Sequence, residues 1–358
     1  MPTYFRKFDW TLFGAAMLLT LAGLAAIYST SLGSGDFSNF WKQAVFAGAG
    51  MLLALLLPAL DYRLLSGLAR PLYVLAIGLL AAVLVFGSVV RGARSWFGFG
   101  GLGVQPVELV KLFLIVYLAR FFSDYARHPA GLKQIVGSGV ALAGVFVLVL
   151  LQPDFGSALL LAAVWGALLL VSGIRRSHLI VIACLGLMTI AVSWLFVLKP
   201  YQKERVLAFA DPAADPLGSG YNVAQSVIAI GSGGMFGKGL GFGSQSQLRF
   251  LPERQTDFIF AVVGEELGFA GALLVCGLFG VLFWRGFRLA GESRDDFATF
   301  LILGITASIA TEVAVNLGGA MRLLPVTGVT LPFLSYGGSS ILVKFAMVGV
   351  LESIAVRR

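Results

Sequence analysis

The sequence predicts an all-α membrane protein, and three observations predict it. Its 358 residues are 58% hydrophobic and only 12% charged, with a mean hydropathy of +0.90, outside the composition of soluble domains. Apolar stretches of roughly 17–25 residues recur along the chain, each long enough to cross a hydrocarbon core of about 30 Å as a helix. Basic residues gather in alternate connectors, the charge bias that orients a chain in a membrane.

Ten spans are expected, forming one polytopic domain over residues 1–358. The first, about 10–28, follows Arg6 and Lys7, and its apolar part is too long for a cleaved secretory signal. The second and third fall at about 44–60 and 71–90. The fourth, about 106–122, opens with "QPVELVK"; the fifth and sixth, about 135–151 and 157–171, flank "QPDFGS". The seventh covers about 179–198, and the last three about 258–284, 297–318 and 340–356. This assignment leaves fourteen Lys and Arg residues in cytoplasmic segments and four, Lys42, Arg91, Arg94 and Arg322, in the short outer loops. Both termini are therefore placed in the cytoplasm.

One connector is unlike the rest. Between the seventh and eighth spans, Lys199 to Thr256 runs for 58 residues on the outer side, a length that usually signals function or disorder. It holds an apolar helical segment, "YNVAQSVIAI", and a glycine-dense stretch, "GSGGMFGKGLGFG", so a fold packed back onto or into the membrane surface is expected.

Composition also excludes several chemistries. The net charge of +8 is dispersed over short loops with no basic stripe, which argues against nucleic acid. Cys184 and Cys276 lie in apolar runs, where free cysteine behaves as a small hydrophobe. His128 and His178 sit beside arginines in polar connectors and are read as solvated; no metal-ligand motif is present. The string "GFGGLG" has the spacing of a dinucleotide fingerprint at Gly98, Gly100 and Gly103, but it follows a membrane span instead of a strand and is rejected.

Charges at bilayer depth are the positive signal, because each costs about 2.5–3.5 kcal/mol to insert. Glu108 and Lys111 are neighbours on one helical face; Glu265 and Glu266 lie in the eighth span, Glu312 in the ninth and Lys344 in the tenth. Mutual pairing for packing and the lining of a hydrated cavity both account for them. The outer connectors add Arg94, Lys199, Lys203, Arg205, Lys238, Arg249, Arg254 and Arg322, a cationic set suited to a pyrophosphate or to solvent alone. Asp257, after Glu253 and Arg254 and just before Phe258, reads either as a helix N-cap or as a carboxylate able to take a proton from a substrate hydroxyl. Glu265 lies eight residues further on, about 12 Å deeper, too far to share that hydroxyl.

Four stretches together resemble one family: "GARSWFGFGGLGVQPVELVK", "LQPDFGSAL", the long loop through "LPERQTDFIFAVVGEELGF", and "NLGGAMRLLPVTGVTLPFLSYGGSS". They are similar to the SEDS proteins of shape, elongation, division and sporulation, and among these to the RodA branch; one departure is "QPVE", where Ser more often precedes the Glu. The resemblance implies a glycosyltransferase that polymerises lipid II, carried on undecaprenyl pyrophosphate, at the outer face of the bacterial cytoplasmic membrane. Its implied partners are a class B penicillin-binding protein and the elongation machinery. Asp257 maps onto the family's proposed catalytic residue. Arg94, Trp96, Glu108, Lys111, Gln152, Asp154, Arg205, Lys238, Arg254, Thr256, Ser335 and Lys344 are assigned to the substrate cavity, and Glu265, Glu266 and Asn316 to structural polar contacts. No protein metal site is expected; a divalent cation, magnesium or manganese, on the pyrophosphate is compatible with the reading. Two alternatives remain at this stage, a lipid II flippase and a non-catalytic scaffold for a penicillin-binding protein. A flippase is expected to show an internal repeat and polar routes to both leaflets, and a scaffold to lack polymerase activity of its own.

Overall fold

A computed structural model describes residues 6–90, 93–99, 102–126, 131–174, 176–197, 203, 209 and 219–358. In chain order these form α1 (Trp10–Leu32), α2 (Ser38–Leu56, extended by a turn to Ala59), α3 (Arg63–Phe86), β1 (Ser88–Val90), β2 (Ala93–Phe99) and β3 (Leu102–Val104). There follow α4 (Pro106–Ser123), α5 (Leu132–Leu151), α6 (Phe155–Val171), α7 (Arg176–Val192, with a wider turn to Val197), α8 (Ser219–Ser232) and the short α9 (Ser244–Gln247). The chain closes with α10 (Ile259–Glu292), α11 (Asp296–Ala320) and α12 (Gly338–Arg357).

Each of the ten expected spans overlaps a described helix. Seven of the described helices, α1, α2, α3, α5, α10, α11 and α12, are long and apolar enough to cross a membrane. α6 is apolar but shorter, and α4 carries Glu108, Lys111 and Arg120 within 18 residues. Many large apolar side chains face outward, Phe86 at 79% exposure among them, as expected where the solvent is lipid.

The all-α expectation is corrected between residues 88 and 104. Here β1, β2 and β3 form an antiparallel sheet, pairing Val89 with Arg94 and Phe97 with Val104. The Val, Trp and Phe side chains of this stretch favour a pleated surface, and between two membrane helices the chain is free to take it. The third span accordingly ends at Phe86 and begins earlier, at Arg63.

The chain divides into two compact units. One comprises Met1–Ala59, Glu204–Gly286 and Glu312–Arg357; the other Leu60–Lys203, Phe287–Thr311 and Arg358. In the first, α12 packs along α2 through small residues: Gly50 lies against the Phe345 ring and Gly349 against Ala54 and Leu57. Lipid is as apolar as a side chain, so close backbone approach, not hydrophobicity, holds such helices together. At one end of this unit Asp9 caps α1 by accepting from Leu12 N (3.2 Å) and pairs with Arg285, while its own N–H donates to Glu352 (2.8 Å). In the second unit α3 packs on α4, Phe122 meets Phe300 at 5.7 Å, and Tyr73 donates to Ala141 O (2.8 Å). Tyr62 donates to Asp295 (3.1 Å), and burial first, then the Asp295 charge, raises its pKa above the usual phenol value.

α10 is broken at Gly268, whose φ of 67° and ψ of −162° are open essentially to glycine alone. The break frees backbone groups that hydrocarbon could not satisfy. Residues 234–239 satisfy them: Lys238 N donates to Glu265 O (3.0 Å), Gly239 N to Glu266 O (2.9 Å), and Gly234 O and Met235 O accept from Phe269 N (2.9 Å) and Ala270 N (3.0 Å). A Cβ on Gly268 would also lie 2.8 Å from the Met235 carbonyl. Gly268→Ala should therefore destabilise the protein by about 1–3 kcal/mol or more, seen as a lower melting temperature in detergent. Gly277→Ala, where a Cβ meets open space, should melt near wild type.

Candidate active site around Asp257

Asp257 lies in a run of turns from Ser/Thr-bearing loop to helix, half-buried, two residues before α10 begins at Ile259. The residue immediately before the helix is therefore Phe258. Glu253, four residues earlier, has φ 53°, a strained value for a residue with a Cβ; its carbonyl accepts from Thr256 N (3.1 Å) and Phe258 N (3.2 Å).

Each residue from 254 to 257 is tied to other parts of the first unit. Arg254 donates to Ser246 O (2.6 Å) and Thr30 O (3.2 Å). Burial, with the nearby Arg249 charge second, lowers the pKa of the Arg254 guanidinium. Gln255 donates to Thr30 Oγ1 (3.0 Å) and accepts from Asn39 Nδ2 (2.7 Å), and its carbonyl accepts from Tyr336 N (2.7 Å). Thr256 O accepts from Ser335 Oγ (2.6 Å) and Asp257 O from Asn316 Nδ2 (3.0 Å). Ser335 is itself held: its Oγ accepts from Leu331 N (2.8 Å) and its carbonyl from Gln43 Nε2 (3.0 Å). Phe333, at φ 67°, adds a second strained residue beside this junction. Such strain persists where surrounding contacts over-determine the backbone.

A small recess opens beside Asp257, lined also by Val315, Asn316, Gly319 and the stretch from Val326 to Val329. It has room for about one water-sized group, and suits one polar group of a larger ligand.

Two glutamates of α10, Glu265 and Glu266, are held by hydrogen bonds. Glu265, fully buried, accepts from Lys238 Nζ (2.9 Å) and from the backbone amides of Gln245 (2.9 Å) and Ser246 (3.0 Å). Glu266 Oε1 accepts from Ser29 Oγ (2.7 Å) and Ser246 Oγ (3.2 Å). Lys238 is thus occupied as the counter-ion of Glu265, which differs from the open cationic role expected for it. Lys344 differs likewise: it is 0% exposed, with Nζ 2.7 Å from both oxygens of Glu312, because a lone ammonium at that depth would be prohibitively desolvated.

Arg94, Trp96, Glu108, Lys111, Gln152 and Asp154 belong to the second unit. Lys111 and Glu108, both buried, pair at 2.8 Å. Asp154 caps α6, accepting from Ser157 N (3.0 Å), and also receives Gln105 Nε2 (3.2 Å). Gln152 donates to Leu80 O (3.2 Å), and exposed Arg94 to Leu84 O (3.3 Å). Trp96 packs its ring over Gly103. Arg205 and His128 lie outside the described residues. His178 is not simply solvated: its Nδ1 is buried without a hydrogen-bond partner among the described residues. Among those residues no three or more His, Cys, Asp or Glu side chains gather where they could hold a metal ion.

Sequence reasoning missed Gln43, Gln255, Asn39 and Thr327. Gln43 carried a usable signal, an amide inside an apolar run that is 1% exposed in the fold.

Comparison with known proteins follows the same lines as the geometry. The FtsW, RodA and SpoVE family model, described as cell cycle protein, matches residues 9–358. Stage V sporulation protein E of Bacillus subtilis is 38% identical over 95% of this chain and 94% of its own length. Peptidoglycan glycosyltransferase MrdB of Escherichia coli K12 is 37% identical over 96% of this chain and 92% of its own. A chain in a solved peptidoglycan synthase complex, in which polymerization and crosslinking are structurally coordinated, superposes with a TM-score of 0.80 at 38% identity, covering 97% of each chain.

Because the Glu312–Lys344 pair is buried, removing one partner strands the other charge. Glu312→Gln or Lys344→Met alone should cost about 3–5 kcal/mol of stability. Combining Glu312→Leu with Lys344→Met should restore most of it; equal melting temperatures in all three variants would show that the pair carries no such constraint.

Proposed function

This chain belongs to the FtsW, RodA and SpoVE family of cell cycle proteins, and on that premise we propose that it polymerises lipid II with Asp257 as general base. It is a multi-pass membrane protein and a peptidoglycan glycosyltransferase. We place ten crossings with both termini in the cytoplasm, so that residues 199–257 and the catalytic centre face outward, where cell-wall elongation takes place.

In the proposed step the acceptor sugar's 4-hydroxyl loses its proton to the Asp257 carboxylate. The oxygen attacks the anomeric carbon of the donor, a bond forms between them, and the bond from that carbon to the pyrophosphate breaks. The polyprenyl pyrophosphate leaves with both electrons of that bond. An α-linked donor and a β-linked product make this a single inverting displacement with no sugar–enzyme intermediate. General-base assistance contributes about 10²–10⁴ in rate.

The observation that carries the reading is the way residues 254–257 are held. Bonds to Thr30, Asn39, Ser246, Asn316, Ser335 and Tyr336 immobilise the backbone beneath one carboxylate at the start of a membrane helix. Binding contacts made once and kept through the reaction are what preorganisation supplies. Arg254 brings a permanent positive charge three residues away, and we assign Lys111, Arg94 and Arg205 to the pyrophosphate. Lys344 is withdrawn from that role because it is fully buried against Glu312; Lys111 and Lys238 each pair with a glutamate and are assigned a share in it with that pair intact. A divalent cation is assigned to the pyrophosphate as part of the substrate. We assign the crosslinking partner as a class B penicillin-binding protein, in line with the synthase complex that this chain resembles.

With the partner's transpeptidase centre inactivated, purified complex carrying Asp257→Asn should polymerise lipid II about 10²–10⁴-fold more slowly than wild type, with unchanged expression and partner binding. Polymerisation at the wild-type rate would reject the base assignment. Lys111→Ala should weaken lipid II use, and normal turnover together with a normal KM would remove Lys111 from the site.

A further inference from the structure

We propose that Thr327 and Asn316 hold the acceptor sugar by the hydroxyl adjacent to the one that reacts. The proposal rests on the reading of Asp257 as general base and adds the specificity of the same site.

Asn316 and Thr327 both line the recess beside Asp257. Asn316 gives the hydrogens of its amide nitrogen to Asp257 O (3.0 Å) and Val329 O (2.8 Å). Turning the amide over would set an oxygen against two carbonyls, so these bonds fix its orientation and leave Oδ1 as a pure acceptor. That Oδ1 is buried with no hydrogen-bond partner among the described residues, and so is Thr327 Oγ1. Buried polar atoms without partners are rare in folded proteins and mark a place where something else supplies the bond.

The chemistry of the missing group follows from the two atoms. Asn316 Oδ1 needs a donor, while Thr327 Oγ1 can both donate and accept. A hydroxyl meets both demands at once. It cannot be the reacting hydroxyl, which has one hydrogen and delivers it to Asp257. We assign the role to a second hydroxyl on the neighbouring ring carbon, which would donate to Asn316 Oδ1 and accept from Thr327 Oγ1 while the reacting hydroxyl meets Asp257. The recess has room for about one water-sized group. It therefore admits this hydroxyl but not the sugar ring. The ligand class is a hexosamine acceptor with two adjacent free hydroxyls, and the pair acts by positioning, without taking part in proton transfer.

The test uses the purified complex, lipid II, and an acceptor analogue lacking the hydroxyl next to the reacting one. Thr327→Val keeps the side-chain shape and removes the hydroxyl, and should lower kcat/KM for the lipid II acceptor about three- to tenfold, the scale of one lost hydrogen bond. Thr327→Ser should return it close to wild type. On the deoxy analogue, which forfeits both bonds, wild type should show a larger loss, and Thr327→Val no further loss. Wild-type kinetics in Thr327→Val, or an equal penalty for that variant on both acceptors, would overturn the proposal and leave an ordered water as the occupant. Asp257→Asn serves as the control for the underlying reading: full activity there overturns the base assignment and this inference with it, whereas a normal Asp257 dependence with an indifferent Thr327 overturns this inference alone. The comparison of the two acceptors on unmodified protein needs no variant, so a folding defect cannot mask the result.

Discussion

The structure depends on holding one short peptide still at the start of a membrane helix. Four consecutive residues, Arg254, Gln255, Thr256 and Asp257, bond to Ser246, Thr30, Asn39, Tyr336, Ser335 and Asn316. The bonds named at Thr256 and Asp257 use backbone carbonyls, so the functional group is located by its neighbours' amides and hydroxyls. The strained φ angles of Glu253 and Phe333 become tolerable in that setting. They belong to a junction where a loop from residue 331 onward, α1 and the start of α10 are stitched together by hydrogen bonds whose alternatives would be unsatisfied polar groups.

The same physics governs the charges deeper in the chain. In a low-dielectric interior each buried carboxylate must have either a cation or several donors. Glu312 has Lys344, Asp9 has Arg285, and Glu265 has Lys238 plus two backbone amides. Glu265 also sits where α10 breaks, and the glycine-rich segment from 234 to 239 supplies the backbone partners that the break requires. Only glycines can approach so closely: a Cβ on Gly233 or Gly237 would run into the backbone of residues 264–267. Stability and site geometry are thereby linked, since the segment that mends the helix leads directly, through α9, to the carbonyl of Ser246 that receives Arg254.

Much of this was legible in the sequence, for reasons that are physical. Bilayer thickness imposes a length on every span, so helices could be placed to within a few residues at Trp10–Leu32 or Gly338–Arg357. Asp257 stood out because a carboxylate beside charged neighbours meets an apolar helix there. What could not be read were partners distant along the chain. Gln43 bonds to Ser335 and Asn39 to Gln255 across some of the longest separations in the chain, and no local pattern announces either. Lys238 and Lys344 were counted as cavity cations because a sequence shows charges but not their counter-ions. By sequence, residues 88–90 fall in the third span and the rest of the sheet in a loop, because β1 and β3, three residues each, are too short to show a period. Gly268 is read within an unbroken helix because the bonds that permit its break come from residues 234–239.

The central claim is that catalysis depends on the fixed backbone beneath Asp257, and Ser335 tests it most directly, since its hydroxyl bonds Thr256 O at 2.6 Å without touching the reacting groups. The measurement is kcat and KM for lipid II polymerisation by Ser335→Ala, at a temperature where the protein is fully folded. A misplacement on the order of 1 Å costs about 10²-fold in rate, so kcat should fall by roughly ten- to a hundredfold with KM close to wild type. An unchanged kcat in folded Ser335→Ala protein would contradict the account.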